Sequence, residues 1–361
     1  MSDGAAVPRR TKRSRRLRRS SCAAPGIARR RRGRGFEYLD PDGERVDDPD
    51  TLERIAELVI PPAWREVWIC IDPLGHLQAT GVDAAGRKQY LYHARWRAHR
   101  DRRKFDSMVA FGEALPQLRS RVARDMRLPG RGGRATTAQL TEARVLALAV
   151  RLLDLGFFRI GSEDYAERNE SYGLTTMLRE HMTVAGKEVV FDFPAKSGQR
   201  RVQAIADPEA LTILAALKRR RSGSQLLAYR VGSGWRELGA DEVNAYVKLH
   251  TRGDFTAKDF RTWNATVLAA VALAGAPGRE ARRARERRVR DAMRTVAAYL
   301  GNTPAVCRAS YVDPRVIDRF LAGVTIAGAI GPAGPELGRP RVRARVERAV
   351  LELLGDAGRG A

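Results

Sequence analysis

The sequence lacks most of the features by which an enzyme of this length declares its chemistry. It has only three cysteines, Cys22, Cys70 and Cys307, far apart and without a CxxC pair. That excludes a disulfide framework and fits a reducing compartment. The five histidines (His76, His93, His99, His181 and His250) show no ligand spacing such as HExxH, so no metal site is expected. No GxxxxGK[ST] phosphate loop occurs, so neither ATP nor another nucleotide is expected, and no cofactor is implied. No apolar run approaches the roughly 20 residues of a membrane-spanning helix. The arginines at the start are not followed by the apolar core of a signal peptide. These absences lead us to expect a cytoplasmic protein with no membrane partner.

Acidic residues are also in deficit. Lys and Arg number 66 against 42 Asp and Glu, a formal net charge of +24. Residues 1–35 hold thirteen Arg or Lys and one acid, Asp3, so about half of the excess lies there and half on the remaining chain. Tail and body together point to a polyanion, and nucleic acid is the first reading. The tail composition, without hydrophobic periodicity, reads as a disordered Arg-rich segment over 1–35.

The rest of the chain reads as α+β. A β-rich N-terminal domain is expected over 36–100, with "FEYLDPDGERV" turning at Asp40–Gly43, and "VWICID", "HLQATGVD" and "KQYLYH" forming a meander. A short amphipathic helix over 51–60 ends at Pro61-Pro62. From 101 to 361 a larger, mainly helical domain is expected. "TTAQLTEARVLALAVRLLDLG" places Val145, Leu148, Ala149, Leu152 and Leu155 on one face. Further helices are expected near 104–127, 164–182, 207–220, 241–249, 257–274, 279–300 and 315–321. "KEVVFDF" and "RRVQAIA" read as a small β-hairpin around "PAKSGQ" (194–199). A short helix from Thr303-Pro304 carries Tyr311 in its last turn, and residues 323–361 end in one more helix, "RVRARVERAVLELL".

Cutting a DNA strand without metal or ATP needs a side-chain nucleophile, positive charge for the pentacoordinate transition state, and a proton donor for the departing 5′ oxygen. A tyrosine phenolate, planar guanidinium groups and a lysine on a positioned turn meet those needs. The chain offers Arg159 past a helix stop, Lys196 at the hairpin tip, Arg261 near a helix start marked by Thr256 and Asp259, and Tyr311. Taken singly, each also reads as an ordinary surface charge, turn residue or packing aromatic.

The words around them are more specific. "FRIGSEDYAERNESYGLTT" (158–176), "FPAKSGQ" (193–199), "KDFRTWNAT" (258–266) and "LGNTPAVCRASYVDP" (300–314) closely resemble the type IB DNA topoisomerases, in their bacterial and poxvirus-like branch. "LVIPPAWREVWICIDPLGHLQATGVDAAGRKQYLYH" (58–93) resembles the N-terminal half of that branch's DNA clamp. The resemblance covers about 36–320 and leaves out the tail and 323–361.

It implies a monomeric, C-shaped clamp around double-stranded DNA, hinged near 98–102, nucleoid-associated and in need of no nucleotide. Tyr311 would attack a backbone phosphate to form a 3′-phosphotyrosyl link, the cut strand would rotate, and religation would follow. Arg159 and Arg261 would hold the non-bridging oxygens and Lys196 would be the general acid. Arg87, Gln89 and Tyr90 in "GRKQY", and Tyr165, match residues that touch DNA. Many relatives carry His where this chain has Asn302, which can donate a hydrogen bond but brings no charge. A tyrosine site-specific recombinase would share Tyr311 and the arginines, but it usually has His where Lys258 stands. A non-enzymatic basic DNA-binding protein would not need the set at all.

Overall fold

The structure is a computed structural model and describes residues 16–128, 135–161, 170–275, 282–331 and 337–355. The chain divides into two compact units, with the boundary between Lys104 and Phe105. Among the described residues no helix is long and apolar enough to cross a membrane.

The first unit is an antiparallel sheet of five strands in the order β2-β1-β3-β4-β5: β1 (Ile27–Arg32), β2 (Gly35–Leu39), β3 (Arg65–Ile69), β4 (Leu77–Val82) and β5 (Lys88–Tyr92). Its core is small, formed by Ile27, Ile55, Val67, Ile69 and Ala79, with Trp64 and Leu91 against them. Helix α1 (Pro49–Glu57) starts where Asp48 accepts from the Thr51 amide, with Pro49 in the first turn, and it contributes Ile55 to that core.

Residues 27–35 correct the expectation of a disordered tail reaching to 35. β1 is an inner strand, and its arginines are used locally. Arg29 lies 4.1 Å over the Phe36 ring and donates to the carbonyls of Ile60, Pro61 and Trp64. Arg30 and Arg32 share Glu37 on the neighbouring strand. Upstream, Ser20 donates to the Leu77 carbonyl, and its amide donates to His76 Nδ1, so the chain is tied down from residue 18 onward. Composition counts the charges but cannot see that Ile27 is buried between them. Residues 1–15 lie outside the described part.

Helix α2 (Ala94–Met126) contains the unit boundary and runs unbroken through 98–102, where a hinge was expected. In the second unit α3 (Glu142–Gly156) is almost wholly encased, with Val145 to Val150, Leu152 and Leu153 buried. Each large apolar side chain there contributes about 1.5–3 kcal/mol on burial. Around it lie α4 (Pro208–Lys218), α5 (Ala240–Thr251), α6 (Ala257–Ala272), α7 (Arg282–Leu300), α8 (Pro304–Ser310), α9 (Pro314–Leu321) and α10 (Pro340–Gly355).

The expected hairpin is the larger part of a three-stranded sheet: β6 (Met182–Ala185), β7 (Glu188–Ala195) and β8 (Gln199–Ile205). A second hairpin, β9 (Ala228–Val231) and β10 (Gly234–Glu237), was not anticipated, although "VGSG" is a turn sequence. The helix expected over 164–182 is absent from 170–182. There the chain runs back along 159–161, with Leu174 N and Thr175 N donating to the carbonyls of Arg159 and Ile160. A Cβ on Gly173 would lie 2.4 Å from Gly161, so only paired glycines permit this approach.

Candidate active site

The Tyr311 segment is clamped by its own backbone. Helix α8 opens at Thr303, whose hydroxyl accepts from Val306 N at 3.3 Å, followed by Pro304. It closes at Tyr311, where the amides of Tyr311 and Val312 both donate to the Cys307 carbonyl. The buried Asp313 caps the next helix and pairs with Arg315 at 2.7 Å. Thr266 on α6 donates to the Tyr311 carbonyl at 3.3 Å and accepts from Asp313 N at 3.1 Å. The Tyr311 ring, half-buried, packs against the main core.

Arg261 lies in the second turn of α6. The start of that helix is closed by Asp259, which accepts from both the amide and the hydroxyl of Thr256. The Arg261 side chain is only 4% exposed. It donates to the Phe157 carbonyl, and to the Leu300 carbonyl at 3.0 Å. Phe157 ends α3 in the left-handed conformation (φ 54°), which swings its carbonyl toward Arg261. The guanidinium carbon is 5.4 Å from the centre of the Tyr311 ring, and the Tyr311 side chain hydrogen-bonds to the group. Burial, and then the nearby charge of Arg159, push the Arg261 pKa down to about 10.

Arg159 follows that same left-handed turn. One of its amino groups donates to Asn302 Oδ1 at 2.8 Å and to the Gly301 carbonyl at 3.3 Å. A guanidinium can only donate, so the Asn302 oxygen must face it and the Asn302 NH₂ must face away. That NH₂ is buried and has no partner among the described residues. An orphaned donor beside two arginines is a place for an anionic oxygen.

Arg159, Arg261, Asn302 and Tyr311 are thus drawn together, although 152 residues of sequence separate the first from the last. Lys196 stands at the exposed turn between β7 and β8. It follows Ala195, which lines a cleft of about 720 Å³ together with Arg159, Arg201 and Asn302. In the first unit Arg87 and Gln89 both donate to Asp83 Oδ2 at 2.9 Å, on the turn joining β4 to β5, and Tyr90 is 47% exposed. Tyr165 lies outside the described residues. The sequence reading missed Thr266, Asp83 and Arg201. Only the position of Arg201 on a strand, out of step with Arg200, hinted that it points elsewhere.

Similarity to known proteins covers both units. Residues 93–320 match the model of the eukaryotic DNA topoisomerase I catalytic core, and residues 35–83 match that of the bacterial DNA topoisomerase IB N-terminal domain. The chain is 29% identical over 294 residues to DNA topoisomerase 1B of Acanthamoeba polyphaga mimivirus, covering 80% of this chain and 85% of that protein. With the catalytic-core match spanning more than half of its length and every invoked side chain of the second unit but Tyr165 inside the described structure, this chain belongs to the type IB DNA topoisomerases, and it is an isomerase.

Proposed function

We propose that the chain relaxes supercoiled duplex DNA through a transient break in one strand, with Tyr311 as nucleophile. The Tyr311 oxygen attacks a backbone phosphorus, its proton leaving to solvent. The bond from phosphorus to the 5′ oxygen breaks, and Lys196 donates the proton that makes this oxygen a hydroxyl. The product is a 3′-phosphotyrosyl link, a diester that retains the energy of the bond it replaced. After strand rotation the 5′ hydroxyl attacks the phosphorus, the tyrosyl bond breaks, and Lys196 recovers the proton. No nucleotide is consumed in either direction.

Arg159, Arg261 and the Asn302 NH₂ hold the non-bridging oxygens as charge grows on them. The observation that carries this reading is the buried Arg261 beside the Tyr311 ring, bonded to carbonyl oxygens and to no carboxylate among the described residues. A guanidinium kept out of water without a counter-ion is costly unless an anion arrives to meet it. In the first unit, Arg87, Gln89 and Tyr90 contact the duplex, where phosphate takes the place of Asp83 on Arg87. We further propose that the enzyme acts as a monomer, with a β-rich domain that includes β1 and runs to about residue 100, a catalytic domain over 101–361 and residues 1–15 as an added phosphate-binding arm.

Relaxation of supercoiled plasmid in EDTA without ATP tests this, with wild type beside Tyr311→Phe. Wild type should relax the plasmid and the variant should lose at least about 10³-fold in rate. A loss smaller than about tenfold would falsify the assignment of the nucleophile.

A further inference from the structure

The second unit treats its arginines in two ways. Arg119 and Arg343 pair with Asp154 and Glu347, Arg151 pairs with Asp207, and Arg200 pairs with Asp192. Others bond only to neutral acceptors among the described residues, and three of these lie close to one another: Arg159, Arg261 and Arg201. The first two belong to the proposed site. Arg201, one residue after Arg200 and pointing off the other face of β8, donates to the Gln203 side-chain oxygen at 3.1 Å and to the Tyr299 carbonyl.

Arg201 is close to the proposed phosphate position. It lines the same cleft as Arg159 and Asn302. A Cβ built on Gly301, the residue before Asn302, would lie 2.9 Å from Arg201 Nη1, so the guanidinium rests against that turn. Gly301 has φ +62°, which lets the chain leave α7 and present Asn302 with no side chain in between. The charges also sense each other: burial first, and then Arg159, hold the Arg201 pKa below the ordinary arginine value.

We propose that Arg201 is a further substrate-contacting residue, a guanidinium that joins Arg159 on a backbone phosphate in this cleft. It supplies the positive charge that Asn302, a neutral amide, does not. The inference rests on the function proposed above. It deepens that reading by assigning the missing charge to a residue on the hairpin that carries Lys196. A salt link with phosphate is about twice as strong as a neutral hydrogen bond, so one well-placed guanidinium can stand in for a charged donor elsewhere on the same oxygens.

The test is single-turnover cleavage of a 5′-labelled duplex with a short leaving strand. Wild type is compared with Arg201→Gln, Arg201→Lys, Asn302→His and the double variant Arg201→Gln/Asn302→His. Gln keeps a donor for the Tyr299 carbonyl and removes the charge, and a melting temperature for each variant reports folding. Arg201→Gln should cleave about 10–100-fold more slowly, with Arg201→Lys recovering part of the loss. Asn302→His should speed the Arg201→Gln enzyme by a factor at least about fivefold larger than it speeds wild type, because the two positions serve the same charge. A merely structural Arg201 would show no such coupling.

Cleavage by Arg201→Gln within about twofold of wild type would overturn the inference, as would an equal response to Asn302→His in both backgrounds. If Arg201→Gln does not fold, Arg201→Met, which also removes the charge, and its response to Asn302→His give the same comparison. Tyr311→Phe separates this failure from failure of the function. Cleavage by wild type and not by Tyr311→Phe, with a silent Arg201, defeats only the present inference. No cleavage by wild type defeats both.

Discussion

At the scale of single residues, the site is defined by charges that the fold holds at a loss. Arg261 is buried among carbonyl oxygens beside another arginine, and its pKa is pushed down to about 10. The folded state therefore binds that proton less tightly than the unfolded state, whose arginine keeps its ordinary value. Below pH 10 the charged group subtracts from stability, and the deficit is relieved as pH rises through 10. Arg261→Met is expected to lose about 10²–10³ in cleavage rate, with little or no drop in melting temperature at pH 7.5. As pH is raised past 10, wild type should gain stability relative to the variant. A large melting loss at pH 7.5 that shrinks toward acid pH would contradict this. The candidate nucleophile, arginines and Lys196 were legible in the sequence because short words surround them. Thr266 and Arg201 were not, because their roles depend on which strand face and which helix turn meet in space. Asn302 was legible as a lost charge. That its NH₂ is orphaned needed Arg159 in place.

At the scale of elements, the hairpin turn at Lys196 and the caps of α8 were readable from turn and capping chemistry, since those signals are local. The expected helix over 164–182 shows the limit: residues 164–169 lie outside the described part, and over 170–182 the polar run has helical composition, but Leu174 and Thr175 are claimed by backbone bonds to Arg159 and Ile160. The C-terminal helix α10 was seen only as a helix, and its attachment was invisible. Arg343 and Glu347 on α10 enter a buried cluster with Arg119 of α2 and Asp154 of α3, and Trp263 on α6 donates to Glu347 at 3.3 Å. Burial alone would raise the Asp154 pKa, but Arg343 and Arg119 outweigh it and hold the carboxylate below its usual range. Glu347 is likewise held low against its own burial, chiefly by Arg119. Removing one member leaves buried charge unmatched. Glu347→Ala should cost about 3–5 kcal/mol in chemical denaturation, and a cost below about 1 kcal/mol would contradict the buried-cluster account. Because both folded carboxylates titrate low, this stabilisation is present above their unfolded pKa values and is lost as pH falls through the folded ones.

At the scale of the molecule, the net charge of +24 makes DNA affinity a matter of salt. The order found in residues 16–35 changes how the tail should be tested. Deleting 1–15 removes five Lys or Arg and leaves the ties from residue 18 onward intact. It should lower the slope of log affinity against log salt by about 0.9 for each phosphate that the arm neutralises, with an unchanged melting temperature. Deleting 1–33 removes β1, an inner strand, and with it Ile27 from a core of few residues; it should unfold the first unit. An unchanged salt slope after the shorter deletion would reject a binding role for the arm. Retained stability after the longer one would reject the place of β1 in the sheet.

The central claim is that Tyr311 takes the DNA strand. The most direct measurement is to trap the adduct with detergent on a 5′-labelled duplex, digest it with protease and identify the modified peptide by mass. The account predicts one labelled peptide containing Tyr311, linked to a 3′ phosphate, formed in EDTA and absent in Tyr311→Phe. A label on another residue, or an adduct that persists in Tyr311→Phe, would contradict it.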